Sequence, residues 1–243
     1  MTHVVVSRAG RLAGAPLLLG LAAAAVFVLP GLAAALEYDR DRIADGELWR
    51  LLTCHWTHWS AEHLLLDAAV LVALGLACSL HCARRWLGCV ALSAVLIPAV
   101  VWLALPDMVC YRGLSGLDAA LYALLASSLL GQEARAGRWP LALLPMAALL
   151  GLAAKIGYEL VAGQAAFVNS AGAGFVPVPE AHAVGGMVGV AFGLLGGARG
   201  KTRPFPFVPQ PEPDPVVVSV TDSGSFRGGG KSESLVACRS WTT

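Results

Sequence analysis

Two short motifs carry a serine and a histidine that could form a hydrolytic pair. The first reads Gly113-Leu114-Ser115-Gly116, and the second reads Ala181-His182 followed by glycines at 185 and 189. A serine hydroxyl is a poor nucleophile until an imidazole within about 2.6–3.2 Å can accept its proton. The sequence therefore predicts Ser115 and His182 as catalytic residues. Since glycines let helices approach closely, structural roles are expected for Gly113, Gly116, Gly185 and Gly189.

Further polar side chains accompany these motifs in otherwise apolar stretches. His58, His63 and Asp67 lie around the start of one such stretch, and Asp118 lies one helical turn after Ser115. An attacked carbonyl develops an oxyanion, which needs fixed hydrogen-bond donors. His63, at a similar depth on the second predicted span, could supply the side-chain donor. Asp67, Asp118 and His58 are expected to surround the catalytic groups, although Asp118 could instead simply face another helix.

Each motif also has a purely structural interpretation. A serine flanked by glycines is common where membrane helices pack, and Gly185 and Gly189 have the G-x-x-x-G spacing of a packing face. His182 could be a lone histidine that a neighbouring carbonyl satisfies. The combination favours catalysis, because Ser115 and His182 both lie near the predicted outer ends of their helices. A serine–histidine pair lacks the orienting carboxylate of a full triad, so helix packing at the glycines is expected to hold the imidazole.

The chain as a whole has the composition of a membrane protein. Of its 243 residues, 57% are hydrophobic and 14% are charged, whereas an ordinary soluble domain has about 25% charged residues. The mean hydropathy is +0.67, and the charges gather between long uncharged runs. These values argue against a soluble enzyme, a disordered chain and a fibrous repeat. The net charge of +1 indicates no basic surface for nucleic acid.

Six apolar segments are long enough to cross a bilayer, which takes about 20 residues per helix. Helices are expected because the alternating pattern of barrel strands is absent. The first segment could be misread as a signal peptide, but its apolar run is too long and five more segments follow. The sequence therefore predicts an all-α polytopic membrane protein. Its predicted spans are residues 12–36, 62–81, 86–105, 113–131, 139–160 and 181–198.

The distribution of Lys and Arg predicts that both termini lie in the cytoplasm. With this orientation the cytoplasmic side holds Arg8, Arg11, Arg84, Arg85, Arg135, Arg138, Arg199, Lys201 and Arg203, and the outer side holds Arg40, Arg42, Arg50 and Arg112. Residues 1–11 are then a cytoplasmic N-terminus, and the Trp-containing residues 37–61 are an outer interfacial loop. The Pro/Gly/Ser-rich residues 200–243 are expected to be a disordered cytoplasmic tail. Lys155 and Glu159 are expected to pair on one face of the fifth helix.

Two further motifs precede the serine in the chain. Residues 47–53 read ELWRLLT, and residues 58–67 read HWSAEHLLLD. They resemble the W-R motif and the H-x-x-x-x-H-x-x-x-N segment of the rhomboid family of intramembrane serine proteases. The Ser115 and His182 motifs match this family's nucleophile and base motifs in order and in span number. The resemblance covers roughly residues 12–198 and leaves the tail outside it. It implies that His63 and the backbone N–H of Ser115 form the oxyanion hole.

The resemblance implies both a fold and an activity. The expected fold is a six-transmembrane-helix rhomboid-like bundle with no metal and no cofactor. The expected activity is that of a serine endopeptidase in a bacterial inner membrane, which cleaves membrane-anchored protein substrates near the outer bilayer surface. The chain also resembles the rhombosortase branch of the family, which acts on C-terminal sorting tails of the Gly-Gly type.

Two departures from the family's pattern bear on this activity. Asp67 stands where the family usually has Asn, and an ionised Asp can only accept hydrogen bonds. It is therefore either protonated by burial or orients His63 by accepting from its second N–H, and we favour the second role. Ala119 stands where many rhomboids have an aromatic residue that stacks on the histidine. The alternatives are a catalytically inactive rhomboid-like protein that binds membrane clients, and a small transporter with a polar path.

Overall fold

The computed structural model describes residues 14–29 and 31–197. The predicted N-terminal segment 1–11 and the predicted tail 200–243 lie outside the described residues. The described part of the chain is mostly helical, with one short antiparallel pair of strands, β1 (Tyr38–Asp39) and β2 (Cys110–Tyr111). Residues Cys54–Trp56 form a 3-10 turn. In chain order the helices are α1 (Gly14–Val28), α2 (Leu32–Leu36), α3 (Arg40–Ala44), α4 (Arg50–Thr53), α5 (Ala61–His81), α6 (Trp86–Ala104), α7 (Ser115–Arg135), α8 (Trp139–Ala162), α9 (Ser170–Ala173) and α10 (Pro179–Gly197).

Three helices, α5, α6 and α8, are long and apolar enough to cross a membrane by length and composition. Two shorter apolar helices accompany them, namely α1 and the Pro179–Leu195 part of α10. The three candidate spans expose most of their residues, so their outer faces would contact lipid rather than protein. The chain is therefore an integral membrane protein, while six as the number of spans stays a prediction.

Helix α7 lies inside the bundle and packs against α5, α6, α8 and α10. Every residue from Gly116 to Leu121 on this helix is buried. Because α7 contacts protein on several sides, it can carry polar side chains that a lipid-facing helix could hold only at high cost. One of them, Ser127, donates a hydrogen bond from Oγ to the Ala123 carbonyl oxygen at 2.6 Å.

Helices α7 and α10 approach closely because glycines leave no side chain between their backbones. A Cβ atom at Gly185 would overlap the Gly116 carbonyl, and one at Gly189 would overlap the Ala120 carbonyl. A Cβ atom at Gly116 would lie 3.1 Å from the Ala181 carbonyl oxygen. Three of the four predicted structural glycines thus lie in one helix contact. This contact brings the start of α7 beside the start of α10.

The first predicted span is wrong as a single helix over residues 12–36. Helix α1 ends at Val28 and α2 begins at Leu32. Between them Gly31 has φ 75°, a left-handed conformation that glycine adopts without steric cost. The sequence at this point is Pro30-Gly31, and proline also disfavours a helix that continues through it. A hydropathy profile does not detect this break, because neither Pro30 nor Gly31 adds a charge to the apolar run of residues 12–36.

Buried polar contacts hold the segment between α2 and α5 in place. Arg50 is only 5% exposed, and its Nη1 atom donates to the carbonyl oxygens of Ala34 at 2.9 Å and Glu37 at 3.0 Å. The Glu37 carboxylate forms an ion pair with Arg112. Strand β2 precedes Arg112 and pairs with β1, so this segment is tied to the chain that enters α7 at Ser115.

Candidate active site

Ser115 and His182 meet at the α7–α10 contact. The Oγ atom of Ser115 lies 2.9 Å from Nε2 of His182, although 67 residues separate them in the chain. This distance is within the range at which an imidazole can accept a hydroxyl proton. The His182 side chain is buried, and Ser115, the first residue of α7, is half-buried. Both line a cavity of about 670 Å³.

Glu159 contacts His182, and the sequence did not predict this contact. Its Oε2 atom lies 2.7 Å from Nδ1 of His182, the ring nitrogen that faces away from Ser115. The carboxylate is 2% exposed, and its Oε1 atom accepts a hydrogen bond from the backbone N–H of Ala166 at 3.1 Å. The expectation that helix packing alone holds the imidazole is therefore wrong, since a buried carboxylate on α8 also contacts it.

Lys155 completes this polar group. Its Nζ atom donates to both Glu159 oxygens at 2.8 and 2.9 Å, which confirms the pairing predicted from their spacing. The same Nζ lies 3.1 Å from His182 Nδ1. The i,i+4 pair in an apolar segment was the available signal for Glu159. The sequence could not indicate that His182 lies against this pair, because the histidine is on another helix.

Asp67 contacts three groups through one carboxylate oxygen. Its Oδ2 atom accepts a hydrogen bond from the backbone N–H of Leu114 at 3.0 Å, and it lies 3.2 Å from Nε2 of His63 and 3.4 Å from Nε2 of His58. All three side chains of this cluster are buried. Asp67 therefore links α5 to the turn immediately before Ser115, and it faces His63 as the orienting role requires.

Gly113 makes room for this cluster. Its φ of 124° is one that residues with a side chain rarely adopt. A Cβ atom there would lie 3.0 Å from two ring atoms of His63 and 3.3 Å from Oδ2 of Asp67. The fourth predicted structural glycine is thus required by both backbone conformation and space. It lets the chain pass closely over His63 before it enters α7 at Ser115.

His63 lines the same cavity as Ser115 and His182. Its ring stacks on Phe175 with centroids 5.2 Å apart. The described residues contain no hydrogen bond between His63 and either Ser115 or His182, so the common cavity is what brings His63 near the pair. The Ser115 backbone N–H belongs to the first turn of α7, where N–H groups have no partner within the helix.

Phe175 belongs to a stack of rings beside the cavity. It comes from the segment between α9 and α10, and its other neighbour is Trp59, at 5.8 Å between centroids and 7° between planes. The guanidinium group of Arg112 lies 4.3 Å from the Trp59 ring centre. No sequence pattern indicates this stack, because its members are far apart in the chain and only the fold brings them together.

The two remaining predicted residues lie around the site without contacting the pair. The His58 ring packs edge-on against His63, with centroids 5.1 Å apart. Asp118 lines the cavity, and its buried Oδ1 atom has no hydrogen-bond partner among the described residues. The carboxylate that contacts His182 is Glu159 and not Asp118. In the described part of the chain, no group of three or more His, Cys, Asp or Glu side chains could hold a metal ion.

Residues 45–199 match the family model of the rhomboid domain. The chain belongs to the rhomboid family. No curated protein matches the chain. Rhomboid proteins are generally intramembrane serine proteases that act on membrane protein substrates within a bilayer. The match confirms the resemblance drawn from the four motifs and does not distinguish the rhombosortase branch. The Ser115, His182 and Glu159 side chains all fall within the rhomboid domain.

Proposed function

We propose that this rhomboid protein is an intramembrane serine endopeptidase in which Ser115 is the nucleophile and His182 is the general base. The observation that carries the proposal is the 2.9 Å distance from Ser115 Oγ to His182 Nε2. The pair lines a cavity of about 670 Å³, which offers space for a peptide segment. Neither a packing serine nor a lone satisfied histidine requires such an alignment beside a cavity.

The reaction follows from these positions. Ser115 Oγ attacks the substrate carbonyl carbon while its proton moves to His182 Nε2. The resulting oxyanion receives hydrogen bonds from the Ser115 backbone N–H and from His63. The C–N bond then breaks, the leaving amine takes the proton from His182, and an acyl ester on Ser115 remains. Water activated by His182 hydrolyses this ester and restores the free hydroxyl.

The finer placement of the protein rests on its sequence. We propose six membrane helices within residues 12–199, both termini in the cytoplasm, and a bacterial inner membrane as the site of action. The Lys and Arg distribution supports this orientation. Substrates would be membrane-anchored proteins cleaved near the outer surface. Because the chain also resembles the rhombosortase branch, C-terminal Gly-Gly-type sorting tails are the first substrates to test.

Covalent labelling tests the proposal directly. A fluorophosphonate probe applied to the purified protein should label Ser115, and Ser115→Ala and His182→Ala should both abolish labelling. Ser128→Ala is the matched control, because it removes a hydroxyl from the same helix away from His182 and should label like the parent protein. Labelling that persists in Ser115→Ala would refute the assignment.

An inactive rhomboid-like protein that binds membrane clients is the alternative. Asp67 favours this alternative, because a carboxylate occupies the place of the family's usual amide donor. A folded protein whose Ser115 resists labelling at every pH would support this alternative over the protease.

A further inference from the structure

We propose that Glu159 is a positioning residue that selects the reactive tautomer of His182, and that Lys155 opposes it by competing for the same ring nitrogen. The inference rests on the proposed serine protease function and adds to it. It makes the site a Ser115–His182–Glu159 triad restrained by a cation, in place of the expected serine–histidine pair.

The tautomer of His182 depends on which of its two ring nitrogens carries the proton. A neutral imidazole has one N–H donor and one acceptor nitrogen. A carboxylate only accepts, so the 2.7 Å contact between Glu159 Oε2 and His182 Nδ1 requires the proton to be on Nδ1. The lone pair is then on Nε2, which faces Ser115 Oγ at 2.9 Å. This is the tautomer that can take a proton from Ser115.

Glu159 is held firmly enough to perform this selection. Its two oxygens accept hydrogen bonds from Lys155 Nζ, and Oε1 also accepts from the Ala166 backbone N–H. These bonds tie the carboxylate to its own helix and to the segment that follows α8. A carboxylate whose position is fixed holds the imidazole at one angle, as the acid does in a Ser–His–Asp triad.

Lys155 acts in the opposite direction. Its Nζ atom lies 3.1 Å from His182 Nδ1, and an ammonium group can only donate. A hydrogen bond from Lys155 to Nδ1 would leave the ring proton on Nε2, where it would point at Ser115 and block proton transfer. The positive charge would also disfavour the imidazolium that forms during attack, whereas Glu159 favours it. The balance of the two residues therefore controls His182.

A purely structural role for the pair makes a different prediction. If Lys155 and Glu159 only tie α8 to its surroundings, replacing either one would weaken the protein without a specific change at His182. A mechanistic role requires opposite effects of the two replacements on the same histidine.

The tautomer can be read by NMR whether or not the protein is active. In protein labelled with ¹⁵N-histidine and held in detergent near neutral pH, the His182 signals are assigned by their loss in His182→Asn, which separates them from the other histidines of the six in the chain. We expect a protonated Nδ1 and an unprotonated Nε2, and a rise in protonated Nε2 in Glu159→Gln. Protonated Nε2 in the parent protein, or no change in Glu159→Gln, would overturn the proposal.

The pH dependence of fluorophosphonate labelling gives a second readout. Attack requires an unprotonated Nε2 on His182, so labelling falls along the acidic limb of its pH profile. Glu159→Gln removes the carboxylate charge beside His182 and should move the acidic limb to lower pH. It should also slow labelling on the order of 100- to 10,000-fold. Lys155→Met should move the limb to higher pH. Glu180→Gln is the matched control, because this carboxylate lies in the first turn of the same helix and has no hydrogen bond or ion pair with His182 among the described residues. The acidic limb of this variant should not move.

The outcomes separate the two proposals. The acidic limb could shift in the same direction in the Glu159 and Lys155 variants, or it could stay fixed while the folded protein loses labelling. Either result would assign Glu159 and Lys155 a structural role only. A parent protein that is never labelled would refute the protease assignment, and the NMR result would still decide whether Glu159 sets the tautomer.

Discussion

At the scale of single residues, Asp67 shows how one carboxylate can organise a site. It accepts from the backbone N–H of Leu114, beside Ser115, and lies against the rings of His63 and His58. An ionised Asp in this position cannot donate to an oxyanion, but it can fix the ring of His63 by accepting from Nε2–H. His63 would then donate to the oxyanion from Nδ1 only with both ring nitrogens protonated. The sequence left two roles open for Asp67, protonation by burial and orientation of His63. The geometry favours the orientation of His63.

Asp67→Asn tests this role. The amide oxygen can still accept from Leu114, but the negative charge that faces His63 is lost. We expect fluorophosphonate labelling of Ser115 to slow roughly 10- to 150-fold, since a hydrogen bond to a charged group contributes about 1.5–3 kcal/mol. Asp107→Asn removes an exposed carboxylate and should have no effect. Faster labelling in Asp67→Asn would mean that the carboxylate hinders the oxyanion hole.

Gly113 is the second residue whose replacement is informative. Alanine at this position would have to adopt φ 124° and to place a Cβ atom 3.0 Å from the His63 ring. We expect Gly113→Ala to lower the free energy of unfolding by about 1–3 kcal/mol and to slow labelling of Ser115. Gly157→Ala is the control, because its Cβ would have no neighbour within 4 Å. Equal thermal unfolding of both variants in detergent would contradict the expectation.

At the scale of helices, the α7–α10 contact decides whether serine and histidine can meet. Glycines allow the two backbones to touch, which sets the distance between Ser115 Oγ and His182 Nε2. The glycines that pack the two helices together therefore also position the serine and the histidine. The same G-x-x-x-G spacing would fit a purely structural contact, so the motif alone does not reveal this function.

Gly185→Ala tests the helix contact. Its Cβ would overlap the Gly116 carbonyl, so the helices must separate at the level of the serine–histidine pair. We expect labelling of Ser115 to be lost and stability to fall by about 1–3 kcal/mol, as is typical of overpacking. The neighbouring Gly186→Ala is the control, because its Cβ would lie 3.4 Å from Leu152 Cδ2, an ordinary contact. Normal labelling in Gly185→Ala would show that the close contact is dispensable.

At the scale of the whole molecule, native cysteines can test the proposed orientation. Cys54, Cys78, Cys82 and Cys89 are buried free thiols. Cys110 lies in strand β2, and burial together with the Glu37 carboxylate raises the pKa of its thiol to about 12. Thiolate is the reactive form, so Cys110 reacts slowly near neutral pH. Cys238, in the predicted cytoplasmic tail, is then the expected reporter.

An impermeant maleimide should label Cys238 only after bacterial spheroplasts are permeabilised, if the tail is cytoplasmic. Cys238→Ser should remove this signal and identify its source. Strong Cys238 labelling of intact spheroplasts would place the tail outside and reverse the proposed orientation. The same experiment tests whether the Lys and Arg distribution predicts the membrane orientation of this chain.

The sequence by itself determined that this is a helical membrane protein, and it indicated Ser115 and His182 as the proposed catalytic pair. Low charge and long apolar runs require a bilayer, because hydrocarbon excludes charges and unpaired backbone groups. Ser115 and His182 were identifiable because their motifs are local and their glycines mark close contacts. The Lys155–Glu159 pair was also predictable, since residues four apart lie on one helix face.

Only the tertiary structure decided which groups surround that pair. The contact of Glu159 with His182 joins two helices, as do the contact of Asp67 with Leu114 and the stack of Phe175 on His63. Helix periodicity specifies neighbours along one helix, but it contains no information on which faces of different helices meet. That choice depends on the packing of the entire bundle. Whether His182 contacts one polar partner or two therefore depends on the position of α8 against α10.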